Sequence, residues 1–227
     1  VEILKLAANS TAVLGTVANG TADITTIQVS TGTQITFDDD KDTFTVDANN
    51  IADGGTLTIL DDDTGSEGHK SDVAVTNLEG DLTATNVAGI LTVTTKDVTG
   101  SGSNLTIVTG SGVTNANLAA STNDTVNIDA AALPDNVALV LNAAGSGDIG
   151  TVSITNLEGD LTLTNVTGAS AALKITTDNV TGNAMTIGAN TVTTLNTTIG
   201  GGNAGDTITF SGIAGDVVAG NGSNGAT

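Results

Sequence analysis

Short stretches of the chain alternate an apolar residue with threonine or another small polar residue. Clear examples are residues 43–47, 57–60, 73–75, 91–93 and 105–107. An alternation with a period of two is typical of a β-strand that buries one face. Clusters of Gly, Asn, Asp and Ser lie between these stretches and provide the backbone conformations that tight turns need. Since no stretch has a sustained helical period, the sequence predicts an all-β protein.

Longer repeats are superimposed on this alternation. The heptad TNLEGDL occurs at residues 76–82 and at 155–161, and similar sequence continues on both sides of each copy. The segment that begins at Asp42 matches the segment that begins at Asp124. A third segment with a similar start begins at Asp206. Repeats of this size indicate a stacked architecture. We expect one continuous solenoid segment over residues 1–227, with full repeats at 42–123 and 124–205 and partial repeats at 1–41 and 206–227.

The composition limits how wide the hydrophobic core can be. The chain has no Trp, Tyr or Cys and only three Phe, so Val, Ile, Leu and Ala must supply the buried volume. A narrow aliphatic core suits a parallel β-solenoid, in which each coil buries few side chains. We therefore predict a right-handed parallel β-helix (β-solenoid) built from repeats of about 80 residues. Tandem β-sandwich domains are the alternative, although their wider cores usually contain large aromatic residues.

The charge of the chain narrows the choice of partners. Five Lys and Arg against 25 Asp and Glu give a formal net charge of -20. Such a charge repels nucleic acid and anionic membrane surfaces and makes divalent cations natural partners. No apolar run approaches the roughly 18 residues of a membrane-spanning helix. We therefore expect neither nucleic-acid binding nor membrane insertion, and the absence of Cys excludes a disulfide scaffold.

Parts of the chain resemble a family of bacterial surface proteins. The resemblance depends on the segments VDANNIADGGTLTIL at residues 46–60, IDAAALPDNVALVL at 128–141 and the opening VEILKLAANST. With the bias toward Thr, Ala, Gly and Asn, they look like the β-strand repeats of RTX-associated, type I secreted proteins, a class that includes surface-layer proteins. The resemblance implies an extracellular solenoid on the bacterial cell surface that assembles into lattices or fibres with calcium (Ca2+). The regular nonapeptide of calcium β-rolls is absent from the sequence, which leaves calcium to acidic side sites.

Three groups of acidic residues are candidate calcium ligands. The first is the run DDDKD, and the second is DDDTGSE, in which Asp61 and Asp63 have the alternate spacing of oxygen ligands in calcium loops. The third is the Glu-x-Asp pair within each copy of the heptad. The candidate metal ligands are Asp38, Asp39, Asp40, Asp42, Asp61, Asp63, Glu67, Glu79, Asp81, Glu158 and Asp160. A solvated acidic turn explains the first run equally well.

The heptad also carries structural predictions. Leu78 and Leu82 are expected to point into the solenoid on either side of Glu79, Gly80 and Asp81, with the glycine permitting the bend. Carboxylates on a tight bend would then face water, so an exposed corner is favoured over calcium bridging, and catalysis is the least favoured role. Asparagines at stacked corners can satisfy backbone groups and form a ladder.

Two further aspartates occupy equivalent places in the repeats. Asp47 and Asp53 match Asp129 and Asp135. An Asp directly after a strand most often accepts backbone N–H bonds from the turn that follows, and this role is favoured over metal binding.

These features favour a structural role. We expect a noncatalytic, self-assembling component of an extracellular bacterial surface layer, with cell-surface polysaccharide as a second candidate partner. An adhesin stalk or a biofilm-matrix module has the same composition and stays open. Paired carboxylates also occur in polysaccharide-active β-helix enzymes, and Thr-x-Thr runs occur in ice-binding solenoids, but both alternatives fit this sequence less well.

Overall fold

In a computed structural model, the described part of the chain forms twenty β-strands. The structure describes residues 2–14, 24–38, 43–62, 70–96, 104–119, 125–134, 136–142, 151–164, 172–177, 184–189, 194–199, 207–211 and 216–221. The strands are β1 (Glu2–Lys5), β2 (Thr11–Leu14), β3 (Ile24–Ser30), β4 (Thr33–Asp38), β5 (Thr43–Asn50), β6 (Thr56–Asp62), β7 (Asp72–Leu78), β8 (Asp81–Thr83), β9 (Leu91–Thr95), β10 (Asn104–Val108), β11 (Thr114–Asn117), β12 (Thr125–Asp129), β13 (Leu139–Asn142), β14 (Thr151–Leu157), β15 (Leu161–Thr164), β16 (Ala172–Thr177), β17 (Ala184–Ala189), β18 (Thr194–Ile199), β19 (Thr207–Ser211) and β20 (Asp216–Asn221).

The strands alternate strictly between two sheets. Sheet A contains the ten odd-numbered strands in chain order, and sheet B contains the ten even-numbered strands in chain order. Neighbouring strands within each sheet are parallel. Each coil therefore adds one strand to each sheet, and the prediction of a parallel β-solenoid is confirmed. Tandem β-sandwich domains, the alternative fold, are wrong because both sheets continue through all their strands; the hand of the coil stays a prediction.

The core lies between the two sheets and is as narrow as the composition requires. In β9, Leu91 and Val93 point inward with 0% of their surface exposed, while the intervening threonine is half-buried. The same alternation places Val, Ile, Leu and Ala side chains throughout the interior. Among the side chains that the structure describes, Phe37 and Phe44 are the large exception, and their rings stack with centroids 4.4 Å apart. Aliphatic side chains thus fill a layer that needs few aromatic rings.

The long sequence repeat contains an odd number of strands. Its three similar beginnings lead into β5, β12 and β19, which start at Thr43, Thr125 and Thr207. The step from β5 to β12 is seven strands, or three and a half coils of two strands each. Because successive strands alternate between sheets, these three equivalent strands lie in sheet A, sheet B and sheet A again. Each repeat therefore presents its surface on the side of the solenoid opposite to that of the repeat before it.

Candidate functional site

The two copies of TNLEGDL form corners at opposite edges of the solenoid. The first copy carries the chain from β7 in sheet A to β8 in sheet B, whereas the second carries it from β14 in sheet B to β15 in sheet A. Leu78 and Leu82 are 0% exposed, as are Leu157 and Leu161 in the second copy. The prediction that these leucines point into the solenoid is confirmed.

An asparagine makes the sharp change of direction in each corner. Asn77 has a φ of 57° and Asn156 a φ of 56°, both in the left-handed region that Asn tolerates better than most residues. The side-chain nitrogen of Asn77 donates to Oδ1 of Asp47 at 3.0 Å, and that of Asn156 donates to Oδ1 of Asp129 at 2.9 Å. These bonds join each corner to the preceding coil in its own sheet.

The aspartates that receive these bonds also accept a backbone N–H bond from the residue two positions later in the chain. Oδ1 of Asp47 accepts from the backbone N–H of Asn49 at 3.2 Å, and Oδ1 of Asp129 accepts from that of Ala131 at 3.1 Å. The prediction of a turn cap is confirmed for Asp129, whereas Asp47 accepts its backbone N–H bond inside β5. Asp135 lies outside the described residues. The sequence alone did not identify Asn77 and Asn156 as the second donors, since these lie one coil away.

Close packing of neighbouring coils explains the glycine of the heptad. A Cβ atom at Gly80 would collide with the carbonyl oxygen of Gly55 and would lie 2.6 Å from Cγ2 of Ile51. A Cβ at Gly159 would likewise collide with the carbonyl oxygen of Val137. Among the described residues of this corner, the positive φ belongs to Asn77 instead of Gly80. Gly80 and Gly159 each lie at a bend of the chain, as expected. The structure adds a second reason for glycine, because the backbone of the preceding coil comes too close for any side chain.

The carboxylates of the first corner have separate structural partners. Oε1 of Glu79 lies 2.8 Å from Nζ of Lys96, and the two side chains are 18% and 41% exposed. Oδ1 of Asp81 accepts from the backbone N–H of Thr106 at 2.7 Å. Strand β8 pairs with β10 only from Leu82 onward, so Asp81 supplies the acceptor that the short strand lacks. Two acids that are neighbours in sequence thus act at different places.

The second corner differs from the first in charge. Glu158 and Asp160 are half-buried and both have interaction partners in the protein. The backbone oxygen of Asp160 accepts from the N–H of Leu139 at 2.8 Å. In the aligned repeats, however, Asp178 stands where the first repeat has Lys96. Asp178 lies outside the described residues, so the replacement of a positive by a negative side chain is known from the sequence alone.

Most of the two acidic runs lies outside the described residues. Asp39, Asp40 and Asp42 of the first run belong to that part, as do Asp63 and Glu67 of the second. The backbone of Asp38 ends β4 and pairs in register with Asp62. The calcium sites predicted from these runs stay predictions. In the described part of the chain, no three His, Cys, Asp or Glu residues are grouped so that they could hold a metal ion.

Asp61 has a structural role that the sequence did not indicate. Its side chain is 6% exposed, and its Oδ2 accepts from the backbone N–H of Ala88 at 3.3 Å. Asp72 acts in the same way, since its Oδ1 accepts from the N–H of Ile90 at 2.7 Å. Both bonds connect a carboxylate to a loop of a neighbouring coil. Several acidic side chains therefore stabilise the stack directly by hydrogen bonds to neighbouring coils, and they do not only contribute charge to the solvated surface.

Asparagine ladders are present, but at positions other than the expected corners. Nδ2 of Asn127 donates to Oδ1 of Asn104 at 2.9 Å in sheet B. Nδ2 of Asn142 donates to Oδ1 of Asn117 at 3.2 Å in sheet A. The chemistry of the ladder was predicted correctly, whereas its location depends on the register between strands.

No protein-family model, curated protein or solved structure matches the chain significantly. Within the described ranges, no helix has the length and apolar character that would let it cross a membrane.

Proposed function

We propose that this chain is a noncatalytic structural segment of an extracellular bacterial surface layer, which self-assembles in the presence of calcium. The observation that carries the proposal is the extended parallel solenoid, whose two sheets each run through ten strands. A stack of this kind offers long, regular surfaces. Regular surfaces suit repeated contacts between identical molecules.

The roles of the heptad carboxylates support a structural assignment. General acid and base catalysis requires two carboxyl groups that face the same bond of a substrate. Glu79 is instead paired with Lys96, and Asp81 accepts from the backbone of the next coil in sheet B. Their positions are explained by the stability of the stack, without any substrate.

The net charge supports the calcium part of the proposal. At a formal charge of -20, identical molecules repel one another unless counterions screen or bridge them. Calcium prefers carboxylate and carbonyl oxygens, which the acidic runs and turns supply in abundance. Calcium that binds only the folded or assembled protein stabilises that state as its concentration rises above the dissociation constant.

Electron microscopy and sedimentation of the purified protein test the proposal. We expect ordered assemblies in calcium, their dissolution by a chelator, and a lower melting temperature after chelation. Magnesium at the same ionic strength is the control for simple screening, since it demands a stricter geometry and keeps more of its water. Protein that stays monomeric in calcium, with the same melting temperature in chelator, would contradict both self-assembly and the calcium dependence.

A further inference from the structure

The outer surface of sheet A contains a row of uncharged side chains along the solenoid axis. Register pairing aligns one outward-facing residue from each strand between β3 and β15. The row is Thr26, Thr45, Ala74, Thr92, Asn115, Val140 and Thr162. All of these side chains are partly or fully exposed. A protein of strongly negative charge thus has a face with an uncharged centre.

Sheet B has a comparable row. Its members between β2 and β10 are Thr11, Gln34, Thr58, Thr83 and Val108. They are half-buried or exposed, and none carries a charge. The seven-strand repeat explains the likeness of the two faces, because it delivers equivalent strands to alternate sheets. Both sides of the solenoid therefore have an uncharged row, which covers seven strands in sheet A but only five in sheet B, where Asp129 is next in register after Val108.

The acids near these rows are held by bonds to their own chain. Asp47 in sheet A is bonded to the N–H of Asn49 and to the side chain of Asn77. Asp81 in sheet B begins β8 and is bonded to the N–H of Thr106. Asp47 and Asp81 lie beside the rows, and Asp129 ends the sheet B row, where it is bonded to the N–H of Ala131 and to the side chain of Asn156. Two like-charged molecules can approach one another with least repulsion where the two rows meet.

We propose that copies of this chain pack face to face through these uncharged rows, on both sides of each solenoid. The inference rests on the proposed self-assembly and specifies the surface that it uses. Threonine hydroxyls and asparagine amides both donate and accept hydrogen bonds, so a row of them is complementary to a copy of itself. A surface that contacts its own copy forms a closed pair, and a second such surface on the opposite side extends the pairs into a stack.

The size of each face is sufficient for such a contact. Ten strands about 4.8 Å apart, each of about five residues with a rise of about 3.3 Å, give a face of roughly 700 Å². A typical stable interface buries about 800 Å² on each partner. One whole sheet face, with part of its adjoining turns, thus provides enough area for a specific contact between two copies, and the uncharged row occupies seven of its ten strands in sheet A and five in sheet B.

Sedimentation of glutamate variants in calcium tests the proposal. The sheet A variant carries Thr45→Glu and Thr162→Glu, and the sheet B variant carries Thr58→Glu and Thr83→Glu. We expect each to stop at dimers, because one face remains, and we expect the combined variant to be monomeric. The matched control places the same two charges on exposed turns, with Ala52→Glu and Thr85→Glu, and should assemble like the wild type.

Two outcomes separate this inference from the proposed function. If the wild type assembles and the sheet variants assemble equally well, the faces are not the contact, and only this inference is overturned. If the wild type never assembles, both are overturned. Circular dichroism and thermal melting establish that each variant is folded, since the outward positions leave the core unchanged.

Thiol labelling provides a second measurement that needs no added charge. The chain contains no Cys, so Thr162→Cys introduces a single thiol into the sheet A row. We expect assembly to slow its alkylation several-fold, while the thiol of Thr85→Cys on a turn reacts at its monomer rate. Full reactivity of Thr162→Cys in assembled protein would overturn the proposal. It would leave the face open to another occupant, such as a polysaccharide.

Discussion

At the scale of single residues, the repeated heptad combines four different requirements. Its leucines fill the narrow core, and its asparagine adopts a left-handed conformation. Its glycine leaves room for the preceding coil, and its acidic side chains form a hydrogen bond or an ion pair. Alternation of apolar and polar residues predicted the inward leucines. The need for glycine could not be predicted in the same way, because it depends on a backbone segment from another coil.

Substitution of Gly80 tests the close approach of the two coils. Gly80→Ala places a methyl group against the carbonyl oxygen of Gly55, and we expect the free energy of unfolding to fall by about 1–3 kcal/mol or more. Gly54→Ala is the matched control, because Gly54 has a φ of 72° but no atom within 4 Å of an added Cβ. Its cost should be limited to backbone strain, about 1 kcal/mol. Equal denaturation midpoints for the two variants would contradict the packing explanation.

At the scale of the elements, aspartates compensate for strands that do not match in length. Strand β8 has three residues and its partner β10 has five, so the ladder between them is incomplete. Asp81 completes it by accepting from Thr106, and the sequence pattern could not reveal this. The pattern predicted the existence of the strands, but the register between coils depends on the lengths of the intervening turns. That register also determined where the asparagine ladders form.

Removal of the Asp81 carboxylate tests this compensation. Asp81→Ala leaves the N–H of Thr106 without its acceptor, and we expect a loss of about 1–3 kcal/mol of stability. Hydrogen exchange of the Thr106 amide should become faster, whereas Asp81→Asn keeps an acceptor oxygen and should preserve most of the protection. The amide of Ile128, in the next strand of sheet B, is the internal reference. Unchanged exchange at Thr106 in the alanine variant would show that Asp81 is not its acceptor.

At the scale of the whole molecule, composition predicted the architecture better than any motif did. The scarcity of aromatic residues indicated a narrow core, and the period-two pattern indicated strands, so a solenoid followed from simple volume arguments. The same arguments did not predict that equivalent repeats lie on opposite sides of the solenoid. Whether equivalent repeats lie on the same side depends on an odd or even number of strands, and turns of variable length hide that number in the sequence.

Two doubly spin-labelled variants test the central claim that equivalent repeats face opposite sides. The distance between the two labels is measured in each variant. Asn49→Cys and Ala131→Cys place labels at exposed equivalent positions, near the end of β5 in sheet A and just after β12 in sheet B. The comparison pair is Asn49→Cys with Asn142→Cys, at the ends of β5 and β13, both in sheet A and four places apart. With strands about 4.8 Å apart, the comparison pair is separated by about 19 Å along one edge.

Asn49 and Ala131 are separated by about 17 Å along the solenoid axis and by roughly one strand length across the solenoid. Together these two components give a distance of about 25 Å. Double electron–electron resonance should therefore give the longer distance for Asn49 and Ala131, although these residues are closer in sequence. A shorter distance for Asn49 and Ala131 than for Asn49 and Asn142 would place equivalent repeats on the same side and contradict the account.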